Sequence, residues 1–125
     1  MKRIQHLAPA KHRAFYNRQA FTLNITWADM IRAGHSPSVR LFEAAACGVP
    51  IISDVRAGIE TLFEPGREIL LARNAEQVLD YLQETTDTER RRIAERARAR
   101  VLKDHTAAHR AAELEGYACR ALAAR

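Results

Sequence analysis

The sequence predicts an α/β protein with a partial Rossmann-like fold: a three-stranded parallel sheet flanked by helices, followed by a helical C-terminal tail. Two observations lead to this prediction. Short segments with strand propensity alternate with helical segments up to about residue 85, and only helical patterns follow. Strands that alternate with helices pair in parallel through helical crossovers. We therefore expect residues 1–85 to form one α/β domain and residues 86–125 to form helices that pack on it.

The expected elements follow from apolar spacing and turn signals. Residues 9–18 form a helix with Phe15 facing inward, and Asn74 and Thr106 cap later helices. In chain order, strands are expected at 20–25, 49–53 and 68–72, and helices at 27–33, 37–47, 56–63 and 75–85. Two more helices follow, with a break near 104–106. Since the chain opens with a helix, at least one sheet edge lacks cover and is available for pairing.

Residues 36–54 are the most informative stretch, because they combine a helix, a tight turn and a buried strand. Ser36 is suited to cap the helix, and Pro37 suits its first position, where a missing N–H costs nothing. Gly48 stands where helices often end on a left-handed residue. The apolar pair at 51–52 is typical of a parallel strand covered on both faces.

Polar residues gather at one end of the predicted sheet. Ligands of open α/β sheets bind beyond the carboxyl ends of the strands. The predicted helix that begins near Ser36 starts at the same edge of the sheet. The free N–H groups of a helix start suit a diphosphate, Arg40 suits an anionic oxygen, and Glu43 suits paired sugar hydroxyls. The residues expected to converge on one crevice are Asn24, Thr26, Ser36, Ser38, Arg40, Glu43 and Asp54.

Each of these residues also has a simpler structural interpretation. Arg40 and Glu43 are three positions apart, so they can pair with each other across one helical turn. Asn24 and Asp54 can cap strands and turns, and serines are ordinary residues at a helix start. His35 lies in a loop, where a single histidine is usually structural or exposed. Both interpretations remain open on the sequence alone.

Composition narrows the function classes. The net charge is +5, and residues 86–110 hold eight Arg or Lys against four Asp or Glu. This excess fits either a solvated helix face or an anionic partner, but the run lacks the interleaved aromatic residues that favour nucleic-acid binding. Neither a membrane-spanning stretch nor a secretory leader is present, which predicts a cytoplasmic protein. Two cysteines and five histidines form no metal pattern, so we expect no metal and no cofactor.

The stretch SPSVRLFEAAACGVPIISD, with FTLNIT before it and FEPGREILLA after it, resembles the C-terminal domain of GT-B glycosyltransferases. It is most similar to the bacterial group described as CgeB-like glycosyltransferases. The resemblance covers about residues 14–82. It implies that residues 1–85 are part of a nucleotide-sugar-binding domain, with a nucleotide diphosphate sugar as the donor substrate.

The resemblance also implies roles for single residues. Glu43 matches the second glutamate of the wider family's paired-glutamate motif, which holds the ribose of the donor. The backbone near Ser38 and Val39 matches the part that cradles the diphosphate, and Arg40 matches an arginine with a phosphate or sugar role. At the position of the first glutamate this sequence has His35. The resemblance assigns no catalytic residue.

Three functions remain open at this stage. The first is the donor-binding portion of a glycosyltransferase, inactive by itself because a GT-B enzyme has an acceptor domain and a complete donor domain. The second is a non-catalytic module that forms a homodimer through the exposed sheet edge or the last helix. The third and weakest is a basic nucleic-acid-binding protein that uses residues 90–100.

Overall fold

A computed structural model of the chain describes residues 6–34 and 37–125. A 3₁₀ turn at Pro9–Lys11 precedes the first helix, and a second 3₁₀ turn at Ile59–Thr61 follows the second strand. The regular elements, in chain order, are α1 (His12–Tyr16), β1 (Thr22–Asn24), α2 (Ala28–Ala33), α3 (Val39–Ala46), β2 (Ile51–Asp54), β3 (Leu70–Ala72), α4 (Ala75–Glu84), α5 (Asp87–Asp104) and α6 (Ala107–Ala123).

The three strands form one parallel sheet in the order β1-β2-β3. Leu23 lies beside Ile52, which in turn lies beside Leu70, so these residues share one face of the sheet. The predicted α/β class, with a small parallel sheet flanked by helices, is confirmed. Each strand begins two residues later than predicted, since propensity does not reveal where the ladder of hydrogen bonds begins.

The core has two parts, one on each face of the sheet. On one face α3, α5 and the segment before β3 bury a set of fully enclosed side chains, including Leu41, Ile51, Phe63 and Ile69. On the other face the second part surrounds Ile52 and Leu70, together with α4 and the first half of α5. Both faces of β2 are therefore covered, as its purely apolar start predicts.

Local chemistry explains where α3 starts and stops. The Ser38 hydroxyl accepts the Arg40 backbone N–H at 3.3 Å, so Ser38 is the cap and the helix begins later than the predicted Pro37. At the other end Gly48 has φ 73° and donates its N–H to Ala45. This left-handed glycine confirms the predicted helix stop. The Arg98 guanidinium also donates to the Ala46 carbonyl at 3.2 Å, which satisfies a C-terminal acceptor.

Two local predictions are wrong. Phe15 is 43% exposed, whereas its neighbour Tyr16 is 6% exposed, because a 3₁₀ turn before α1 rotates the helix relative to the predicted one. The helix predicted at 56–63 is reduced to one 3₁₀ turn. Gly58, with φ 90°, precedes that turn and breaks the α-helical path.

Helix α5 is attached to the body by arginines as well as by apolar packing. Arg100 donates to the Glu68 carboxylate at 3.0 and 3.2 Å, and Arg90 donates to the Ala20 carbonyl at 3.4 Å. The buried face of α5 carries Ala97 and Val101, which the sequence places on one stripe. Part of the basic excess in this helix is therefore used to hold the fold together.

Helix α6 differs from the expectation that both C-terminal helices pack on the domain. The predicted cap is present, since the Thr106 side chain and His109 form a reciprocal capping box. No residue of α6 is buried, and Leu114 and Leu122 are 70% and 67% exposed. Its predicted packing face is mostly alanine, which removes little apolar area from water per residue.

None of the helices within residues 6–34 and 37–125 combines the length and the apolarity that crossing a bilayer requires.

The packing of α3 can be tested with two substitutions in the same helix. Leu41 is fully buried, and Val39 is 68% exposed. Leu41→Ala should lower the free energy of unfolding by about 2–5 kcal/mol, because a cavity remains in a packed core. Val39→Ala is the matched control, with an expected change of about 0.5 kcal/mol or less. Urea unfolding measures both, and equal losses would contradict the described packing.

Candidate functional site

An open groove of about 490 Å³ lies between α1 and the start of α3. Its walls combine imidazole, phenol, guanidinium, carboxylate and hydroxyl groups. The lining residues are His6, Leu7, His12, Phe15, Tyr16, Ser38, Val39, Arg40 and Glu43. Four residues that the sequence singles out, Ser38, Val39, Arg40 and Glu43, therefore line one groove.

The first turn of α3 gives this groove an anion-attracting end. Ser38 caps the helix, and the backbone N–H groups that follow carry the positive end of the helix dipole. Arg40 is exposed on the same turn. Within the residues that the structure describes, its guanidinium makes no hydrogen bond or ion pair. These groups are available to an anionic ligand such as a diphosphate.

The carboxylate of Glu43 is held from the opposite wall of the groove. Its Oε2 atom lies 3.4 Å from Nδ1 of His12, and the Nε2 atom of the same ring lies 3.0 Å from the Leu7 carbonyl oxygen. The alternative in which Glu43 pairs with Arg40 is not seen among the described residues. Glu43 points toward α1, and its side chain is 41% exposed. It therefore remains accessible to a ligand in the groove.

Tyr16 forms the buried side of this arrangement. Burial raises the pKa of the Tyr16 phenol above its usual value, and the neighbouring Glu43 carboxylate raises that pKa further. The nearby Arg40 guanidinium acts in the opposite direction. The phenol therefore stays protonated as a hydrogen-bond donor beside Glu43.

Asn24 and Asp54 have a different environment. Asn24 is 1% exposed and donates to the Ser53 hydroxyl at 3.0 Å. Asp54 accepts hydrogen bonds from the Thr26 backbone N–H at 2.8 Å and from the Thr26 hydroxyl at 2.9 Å. These contacts fasten the carboxyl ends of β1 and β2 to each other. They match the structural interpretation of both residues.

Asp54 also lines a second groove, of about 420 Å³, at the carboxyl ends of the strands. That groove is mainly apolar, with walls that include Leu23, Ile25, Val78 and Leu79. Of the described residues predicted for the site, four line the first groove, Asp54 lines the second, and Asn24 and Thr26 line neither. His35 and Ser36, which the sequence also places in the site, lie outside the described residues.

Sequence reasoning missed five residues that line the first groove: His6, Leu7, His12, Phe15 and Tyr16. They precede the first strand, and no motif or spacing links them to Glu43. Only the tertiary fold brings α1 against α3. The one available signal in the sequence is the cluster of basic and aromatic residues at 11–16. A short isolated helix does not require such side chains, so the cluster indicates contacts with other parts of the chain.

The ionisable groups give no sign of a metal centre in the described part of the chain. No group of three histidine, cysteine, aspartate or glutamate side chains there is arranged to hold an ion. His105 contacts the Leu62 carbonyl, and His109 takes part in the cap of α6. Both histidines therefore have structural contacts.

The raised pKa of Tyr16 predicts a pH dependence of stability. Above pH about 10 the unfolded chain ionises this phenol while the folded chain keeps it neutral, so stability falls as pH rises. Tyr16→Phe should show a shallower loss of unfolding free energy between about pH 9 and pH 11 than the wild type. Tyr117→Phe, at a position that is 63% exposed, is the control and should follow the wild type. Equal slopes for all three proteins in urea unfolding would exclude this role of Tyr16.

Comparison with known proteins agrees with the fold. A sequence model of the family described as glycosyl transferase-like matches residues 1–116. No curated protein and no solved structure matches the chain. The family match covers almost the whole chain and confirms the resemblance to glycosyltransferases at the level of the family. The chain belongs to the glycosyl transferase-like family.

Proposed function

We propose that the groove between α1 and α3 binds the nucleoside diphosphate part of a sugar donor. The main observation in support of this proposal is that one helix places two groups in the groove, each suited to a different part of this ligand. The start of α3 and Arg40 face one part of the groove, and Glu43 faces the next. The first set suits a diphosphate, and the carboxylate suits the paired hydroxyls of a ribose.

The spacing of these groups supports one ligand that contacts both. Arg40 and Glu43 are three residues apart on α3, so their side chains leave the same face of the helix. A diphosphate and its ribose are covalently joined, so a ligand of this kind places an anion and a diol side by side. Membership of the glycosyl transferase-like family adds support, since nucleotide sugars are the donors implied for GT-B enzymes.

We further propose that the chain is similar to the CgeB-like group of GT-B enzymes and acts mainly by binding the donor. Among the described residues that line the groove, Glu43 is the only carboxylate, and it lies 3.4 Å from the His12 ring. A carboxylate oriented in this way is suited to accept hydrogen bonds from a bound ligand. The proposal assigns no catalytic residue, metal or cofactor.

A second candidate function is a non-catalytic dimerisation module. The observation that favours it is the exposed apolar face of α6, where Leu114, Tyr117 and Leu122 are 63–70% exposed. A second copy of the chain would cover this face. The two functions differ in one measurable property, because a pure dimerisation module has no affinity for nucleotides.

Titration with UDP, GDP and dTDP, followed by amide chemical shifts, tests the donor-binding proposal. At least one of these nucleotides should shift resonances at the start of α3 and around Glu43. Glu43→Ala and Arg40→Ala should each raise the dissociation constant about tenfold, which corresponds to about 1.4 kcal/mol of binding free energy.

Matched controls are available on α5. Glu95→Ala and Arg92→Ala remove the same charges at exposed positions outside the groove and should leave the dissociation constant unchanged. The proposal is wrong if millimolar nucleotide causes no shifts, or if the shifts cluster on the apolar groove near Leu23 instead.

A further inference from the structure

The two walls of the groove meet at a contact that the proposed ligand does not require. His12 from α1 reaches Glu43 of α3 across the groove, with 3.4 Å between Nδ1 and Oε2. The two residues are 31 positions apart in the chain. Such a contact restricts the rotamers of Glu43. Ordering a mobile side chain on binding costs free energy, so a carboxylate that is already ordered binds its ligand more tightly.

The other nitrogen of the same ring fixes its orientation. Nε2 of His12 lies 3.0 Å from the Leu7 carbonyl oxygen, which can only accept a hydrogen bond. Nε2 therefore donates, and Nδ1 is directed at the carboxylate.

A second residue of α1 lies near the same carboxylate. Tyr16 is one helical turn after His12, is 6% exposed, and lies with its phenol beside Glu43. The rings of His12 and Tyr16 meet edge to face, with centroids 6.3 Å apart. Because Tyr16 is anchored in the core, α1 holds His12 in a fixed position beside Glu43.

We propose that His12 is a positioning residue, which orients the Glu43 carboxylate for the two ribose hydroxyls of a nucleoside diphosphate. The proposal rests on the proposed function of the groove. His12 holds Oε2, and Oε1 is left to accept from the ligand. The contact with His12 strengthens binding of the ribose, whereas binding of the diphosphate depends on Arg40 and on the start of α3.

This division can be measured with three ligands and four variants. The ligands are UDP, GDP and inorganic diphosphate, each titrated calorimetrically into the full chain. His12→Phe keeps an aromatic ring and removes both ring nitrogens, so it should weaken binding of UDP or GDP about tenfold, as expected for the loss of one orienting polar contact. Binding of inorganic diphosphate should change by about twofold or less, because that ligand has no ribose.

His12→Asn provides a rescue, because its amide nitrogen can take the place of Nδ1 and donate to Glu43. It should bind nucleotide within about threefold of the wild type. Arg13→Gln is the matched control, since it removes a positive charge from the same helix at an exposed position outside the groove. It should affect nucleotide and inorganic diphosphate equally and weakly.

The outcomes separate this proposal from the function on which it rests. If the wild type binds neither UDP nor GDP, the donor-binding function is wrong and the role of His12 with it. If the wild type binds nucleotide and Glu43→Gln weakens it, but His12→Phe binds normally, only the positioning role is overturned. An equal loss for nucleotide and inorganic diphosphate in His12→Phe also overturns it, because His12 would then act as a simple cation for phosphate.

Discussion

The close packing of α3 between the sheet and α5 is the constraint on which the rest of the structure depends. Leu41, Ala44 and Ala45 are fully buried on one face of this helix, and Ala97 of α5 is fully buried against it. Small side chains on both helices allow their backbones to approach closely. Once this packing is set, the position and direction of α3 are fixed, and the helix start can act as a rigid part of a binding site.

The site itself depends on a second contact, between α3 and the N-terminal segment. The buried face of α3 serves the core, and its other face carries Arg40 and Glu43 toward α1. Tyr16 anchors α1 in the core, while His12 reaches the carboxylate. The residues that stabilise the fold and the residues proposed to bind the donor therefore alternate along the same two helices. A change in the packing of α1 would alter the site without touching the residues that the family resemblance names.

Much of the fold could be predicted from the sequence, because its signals are local. Gly48, Thr106 and the apolar strand at 51–52 act through their own backbone geometry or burial, and the predicted class and order of elements are confirmed. Contacts between distant parts of the chain could not be predicted from these local signals. The sequence alone does not indicate that His12 faces Glu43, nor that Asp54 bonds to Thr26 rather than facing the first groove. The exposure of α6 was also missed, because periodicity predicts an apolar face without showing what covers it.

A crystal structure of the chain with bound UDP or GDP would test the central claim most directly. The account predicts the diphosphate at the start of α3, within hydrogen-bond distance of the Val39 or Arg40 backbone N–H, and the ribose hydroxyls on the Glu43 carboxylate. It also predicts that the contact between His12 and Glu43 persists in the complex. Nucleotide bound in the apolar groove between Leu23 and Val78, or a Glu43 side chain turned away from the ribose, would contradict the account.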